Sequence, residues 1–235
     1  MRTLRRANDR GQADYGWLRT AHSFSFGDYF DPQHVQFRSL RVMNEDHIEG
    51  GAGFPMHGHR DMEIVTYVTR GAIEHRDSEG GQGVIRPGEV QRMSAGTGIR
   101  HSEFNHLADE TTSLYQIWFL PERAGRKPGY EQASVRETLE RDGLVLAAAP
   151  EGGGGAVAIG QDAKLWIVRF RAGQERKLEW KAGRGAWIQV VGGAVEALGE
   201  RPQALRAGDG LTVESETSVT LRATEDTEVL FFDLA

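Results

Sequence analysis

Between Met62 and Thr69 the chain alternates. Ile64, Thr66 and Val68 fall on one side of an extended segment, and Glu63, Val65 and Tyr67 fall on the other. Period-two segments rich in β-branched and aromatic residues predict strands. Strand-like segments begin at Gln36 to Asn44, and Ser113 to Leu120 reads as the strand that closes a first unit. Glycines at 71, 80, 81, 83, 88, 96 and 98 place turns every few residues. Many short strands with regular turns predict an all-β sandwich or barrel. The one helix predicted is short, Ser134 to Arg141. Pro121 to Tyr130, charged and with two prolines and two glycines, reads as a crossover. Glu151 to Gly155 predicts a flexible turn or linker. Strand signals resume at Leu165 to Arg171, Ala186 to Val191, Leu211 to Glu214, Ser218 to Ala223 and Glu228 to Asp233. The aromatic stretch from Tyr15 to Phe30 lacks a period and reads as a loop whose rings cover a barrel end, His22 included.

The two halves resemble each other. Residues 63–74 can be laid on residues 186–196, with Gly71-Ala-Ile-Glu74 over Gly193-Ala-Val-Glu196, and Arg86-Pro-Gly-Glu89 falls on Arg206-Ala-Gly-Asp209. The offsets, 122 and 120 residues, predict two similar barrels in tandem. We expect residues 1–130 to form the first and 131–235 the second.

Composition narrows the chemistry. The 235 residues, 39% of them hydrophobic, suffice for a soluble protein with a sizeable core. Lysine and arginine number 28 against 34 acidic residues, a net charge of −6, with no basic stripe of the kind that binds nucleic acid. Without cysteine there are no disulfides and no thiolate metal ligands. The basic N-terminal stretch has no apolar core, and the longest apolar run, Leu144 to Ala149, is too short to span a bilayer. The expectation is a cytoplasmic protein without a membrane partner.

All eight histidines lie between residues 22 and 106, and five fall between Gly51 and His106. His57-Gly-His59 and His101-Ser-Glu103 are pairs spaced by two, so each can present two ligands to one point from an extended strand. Three imidazoles and a carboxylate around one ion suit Fe, Mn, Co, Ni, Cu or Zn. The second half has no histidine and reads as a partner without metal ligands. His75 and His106 are expected to be solvated or hydrogen-bonded side chains.

The spacing of Gly51, His57, His59, Glu63 and Gly71, and of Gly81, Pro87 and Gly88, resembles the two cupin motifs, although Gly71 comes one residue late and no histidine follows Gly88 by three. Residues 87–103, PGEVQRMSAGTGIRHSE, are similar to the segment PGxxQxMxAGxGxxHxE of the pirin branch of the cupins. His22 to Pro32, HSFSFGDYFDP, resembles the pirin entry signature, and Gly160-Gln161-Asp162-Ala163 a segment that opens the second half in that family. The resemblance implies a bicupin of two jelly-roll barrels, with His57, His59, His101 and Glu103 as ligands of one divalent metal. Iron(II) is favoured, with Cu, Ni, Co, Mn or Zn as alternatives. It also implies dioxygenolytic cleavage of flavonols such as quercetin by O2, with loss of carbon monoxide. Glu103 or Glu63 would deprotonate the substrate. The general cupin pattern nominates Glu63 as the ligand; the pirin pattern nominates Glu103 and leaves an inward Glu63 to orient a ligand or accept a proton. Phe54, Met56, Met93 and Phe104 flank the ligand strands as candidate pocket walls. Two rival readings stay open: an iron-dependent redox sensor or co-regulator acting through protein partners, and a metal-dependent isomerase or hydrolase.

Overall fold

The computed structural model describes all 235 residues, as 22 strands, one α-helix and a 3-10 turn. The strands form two sandwiches, each a seven-stranded sheet packed on a four-stranded sheet, and neither closes into a continuous barrel. In the first, the large sheet runs Gly129–Ser134, Glu89–Ser94, Glu63–Arg70, Thr112–Phe119, Leu40–Ile48, Leu18–His22, Gly11–Asp14. Its small sheet runs Gly53–His59, Ile99–Asn105, Ile73–Asp77, Gln82–Ile85. The second repeats the central order of both sheets, with Glu175–Glu179, Ser218–Ala223, Ala194–Leu198 and Gln203–Arg206 as the small one.

The internal repeat is carried by two turns. Gly71 and Gly193 both take the left-handed conformation, with φ of 79° and 81°. A Cβ there would strike Thr112 in the first half and Thr227 in the second. Those threonines accept the next amide: Ala72 N–H at 3.0 Å and Ala194 N–H at 2.9 Å. The turns at Arg86–Glu89 and Arg206–Asp209 match as well, each closed by an acidic side chain that accepts the arginine amide, at 2.7 and 3.1 Å.

The two sandwiches share one core. Both faces of Glu63–Arg70 are buried: Thr66 and Val68 look into the first sandwich, whereas Val65 and Tyr67 join Leu165, Ile167 and Phe232 in a 23-residue cluster that crosses the domain boundary. Gly160 and Gln161 stitch the boundary, the carbonyl of Gly160 accepting from Glu122 N–H at 2.8 Å and the Gln161 amide donating to the Leu120 carbonyl at 2.6 Å. A cut at residue 130 does not follow these sheets. It runs through strand Gly129–Ser134 of the first sandwich, and strand Arg2–Arg5 pairs with Gly210–Val213 at the edge of the second. The helix begins two residues late, at Arg136, because Ser134 is still held in the sheet opposite Glu89. It ends at Asp142 against Gly143, whose φ of 64° stops it. No helix is long and apolar enough to cross a membrane.

Candidate metal centre

Strand Gly53–His59 lies at the edge of the small sheet of the first sandwich, antiparallel to Ile99–Asn105, with His57 opposite His101. The register shifts between His101 and Glu103, where the partner passes from His57 to Phe54. The extra residue falls around Pro55, which has no N–H to give a ladder and is tolerated at an edge bulge. The consequence is a cluster. His57, His59 and His101 each bring a ring nitrogen within 4.8 Å of the other two. Their ring centroids stand 4.4 to 4.9 Å apart.

The hydrogen bonds settle which nitrogens are free. His57 Nδ1 donates to the Pro55 carbonyl at 2.8 Å, so its Nε2 carries the lone pair. His101 Nε2 is buried and has no partner in the protein. Burial and then the neighbouring imidazoles hold His59 down to about 4 and His101 to about 3, which keeps these rings neutral. Three clustered imidazoles, one with an orphaned buried ring nitrogen, and no thiolate, fit a divalent transition metal.

Glu103 is brought to the same cavity wall. Its carboxylate lies within 4.8 Å of ligand atoms of His101 and His75. Gln116 donates to its Oε2 at 2.8 Å and Thr66 to its Oε1 at 3.3 Å, leaving further lone pairs on both oxygens. Glu63 is not brought there. It projects from the opposite face of its strand toward the domain boundary, where Ser94 donates to Oε2 at 2.6 Å. A Cβ on Gly160 would come within 2.8 Å of its Oε1. The second sandwich takes up that face, so an inward, proton-accepting Glu63 has to be withdrawn.

The cluster opens on a cavity of about 390 Å³. Phe54 lines it as expected, but Met56 and Phe104 face solvent and Met93 packs beneath Ile64 in a small core. Trp17 and Phe26, from the aromatic N-terminal stretch, and Trp118, about 100 residues further on, supply other large walls. Trp118 meets His59 edge-on at 4.9 Å and Phe26 at 5.4 Å. His22 and Phe26 reach the cavity, so the loop 22–32 is part of its wall as well as a cover. His106 is half-exposed beside Glu74, as expected. Of the two alternatives for His75 the hydrogen-bonded one holds: it is fully buried, between Asp77 and His101.

A second carboxyl lines the cavity, unnoticed in the sequence because Asp46 sits in an ordinary alternating strand. Burial, opposed by the Thr20 hydroxyl and reinforced by Glu103, pushes Asp46 up to about 7 from the usual 3.8. A carboxyl raised in the native state binds an extra proton between those values. Its stabilising contribution is therefore full below pH 4 and lost as pH rises through 7. In the metal-free protein, Asp46→Asn should gain stability relative to wild type by up to about 4 kcal/mol between pH 4 and 8. Urea unfolding at both pH values reads this directly; a constant difference would remove the assignment.

With this geometry in place, comparison with known proteins is direct. Residues 3–119 match the family described as Pirin, and residues 146–234 match the quercetinase C-terminal cupin domain. The chain is 44% identical over 231 residues to quercetin 2,3-dioxygenase of Escherichia coli strain K12, covering 98% of this chain and 97% of that protein. It is 39% identical to a pirin-like protein of Caulobacter vibrioides, over 96% of each. The crystal structure of the bacterial pirin YhhW of Escherichia coli in complex with nickel(II) superposes with a TM-score of 0.93, at 43% identity, over 100% of this chain and 99% of that one. The agreement spans both sandwiches, and the chain belongs to the pirin family.

Proposed function

We propose that this protein is a metal-dependent dioxygenase that opens a flavonol such as quercetin with O2 and releases carbon monoxide. The observation that carries the reading is a cluster of three imidazoles on the wall of an aromatic cavity large enough for a planar bicyclic ligand. The dioxygenase name of the Escherichia coli relative supports it. His57, His59 and His101 would hold the ion, with Glu103 as the fourth ligand. The nickel of the YhhW structure and the iron(II) favoured from the sequence are both compatible with this nitrogen and oxygen set.

A bound divalent ion supplies Lewis acidity toward phenolic oxygens and a route for electrons to O2. The chain does the rest. Trp17, Phe26, Phe54 and Trp118 take up the flat rings and exclude water. Glu103, held by hydrogen bonds from Thr66 and Gln116, would receive the proton of the substrate's 3-hydroxyl. The cysteine-free composition fits a reducing cytoplasm, which belongs to the same proposal.

Oxygen uptake with quercetin, on protein reconstituted with nickel(II) or iron(II), is the test. Turnover should fall by about 100-fold or more in His57→Ala, which loses a ligand rather than a supporting contact. Wild-type protein that consumes no oxygen with either metal, or with Cu, Co or Mn, would favour the redox sensor acting through protein partners.

A further inference from the structure

His75 and Asp77 form a buried pair behind His101, on the side away from the cavity. Both side chains are fully shielded, and His75 Nε2 lies 3.0 Å from Asp77 Oδ2. Asp77 has little freedom. Its Oδ1 accepts the amides of Glu79 and Gly81 at 2.9 and 2.8 Å, and a Cβ on Gly81 would lie 2.3 Å from Oδ2. Tyr130 stacks on His75 at 4.8 Å with its plane inclined by 25°, which fixes the ring. The other nitrogen of His75, Nδ1, stands 3.4 Å from His101 Nδ1.

Proton placement along this row follows from the carboxylate at its end. Asp77 is an acceptor, so the His75 proton belongs on Nε2 and Nδ1 of a neutral His75 is left with a lone pair. Two facing ring nitrogens need one donor. That donor is then His101 Nδ1–H, and the lone pair of His101 stands on Nε2, the buried atom without a partner in the protein. Reversing the tautomer of His75 would reverse that of His101 and put a proton where the ion would bind.

We infer that Asp77 and His75 are positioning residues that fix the tautomer and ring orientation of His101 for metal binding, a two-residue extension of the carboxylate–histidine arrangement around metal sites. This rests on the metal reading given above. Neither residue touches the substrate cavity.

Two measurements test it on the full chain. Long-range proton–nitrogen NMR of metal-free wild type at pH 7.5 should find His101 protonated on Nδ1 and His75 on Nε2; the opposite pair of tautomers overturns the inference. Nickel(II) affinity is then compared for wild type, His75→Phe, which keeps a ring against Tyr130, and His75→Gln, which restores an acceptor. His75→Phe should bind about 10- to 100-fold more weakly, His75→Gln should recover most of the loss, and X-ray absorption should count three imidazoles per ion in all three. Unchanged affinity in His75→Phe overturns the inference alone, and so does the loss of one imidazole from the count, which would make His75 a ligand. A wild-type chain that takes up no nickel overturns the metal reading and this inference with it.

Discussion

His101→Ala should lose more than about 100-fold in affinity for nickel(II), a larger loss than any supporting contact around a metal site produces. The residue is central to the cluster. It belongs to both clusters, with His57 and His59 and with His75 and Glu103, and its Nε2 has no other partner. Removing it breaks both groups at once. Glu103→Ala should cost less than His101→Ala but more than Glu63→Gln, which should leave metal content unchanged because Glu63 faces the other sandwich. Elemental analysis of the three variants, purified in parallel with nickel supplied, ranks them. If Glu63→Gln empties the site while Glu103→Ala keeps its ion, the ligand assignment is wrong.

Much of this site was readable before any fold. Residues spaced by two on a strand share a face whatever the sheet does, so His57 with His59 and His101 with Glu103 declare themselves as pairs. The repeat was readable too, since Gly71 and Gly193 each occupy a turn that only glycine enters easily, against equivalent threonine hydroxyls, Thr112 and Thr227. Glu63 was not readable. A strand with one buried face tells inside from outside by alternation, but Glu63–Arg70 is buried on both faces, one by the cavity and one by the second sandwich. Period two gives no means of choosing between them. The cavity wall is legible only in part: the aromatic stretch with Trp17 and Phe26 reads as a cover, but Trp118, about 100 residues further on, is brought to it by strand order. For His75 the sequence does not choose between a solvated and a hydrogen-bonded ring, because one histidine with an aspartate two residues on looks like any exposed strand. Its meaning comes from lying beside His101 in the small sheet, where Glu103 pairs with His75 and His101 with Asp77.

The boundary between the sandwiches carries the second large effect. Trp187 is 1% exposed, in a strand of the second sandwich where it pairs with Phe232 and Thr212. Its ring meets Phe24 at 5.0 Å and Phe37 at 6.3 Å, both from the first sandwich. Gly210 leaves the space for it, since a Cβ there would come within 2.3 Å of the indole. Trp187→Ala opens a void that rigid sheets on two sides cannot close, and a substitution of this kind costs about 3–5 kcal/mol. For a chain of this size that corresponds to a fall in melting temperature of roughly 10 °C. Trp187→Phe should cost far less, because it keeps most of the ring contacts and removes an indole N–H that is buried without a partner. Phe24 begins the loop that carries Phe26 into the cavity wall, so Trp187→Ala should also weaken flavonol binding while nickel affinity stays within about threefold of wild type, the ligand strands being held by the other sheet. Thermal unfolding of both variants with a nickel titration at 20 °C measures each part. A loss under about 1 kcal/mol in Trp187→Ala would show that the two sandwiches do not depend on this contact.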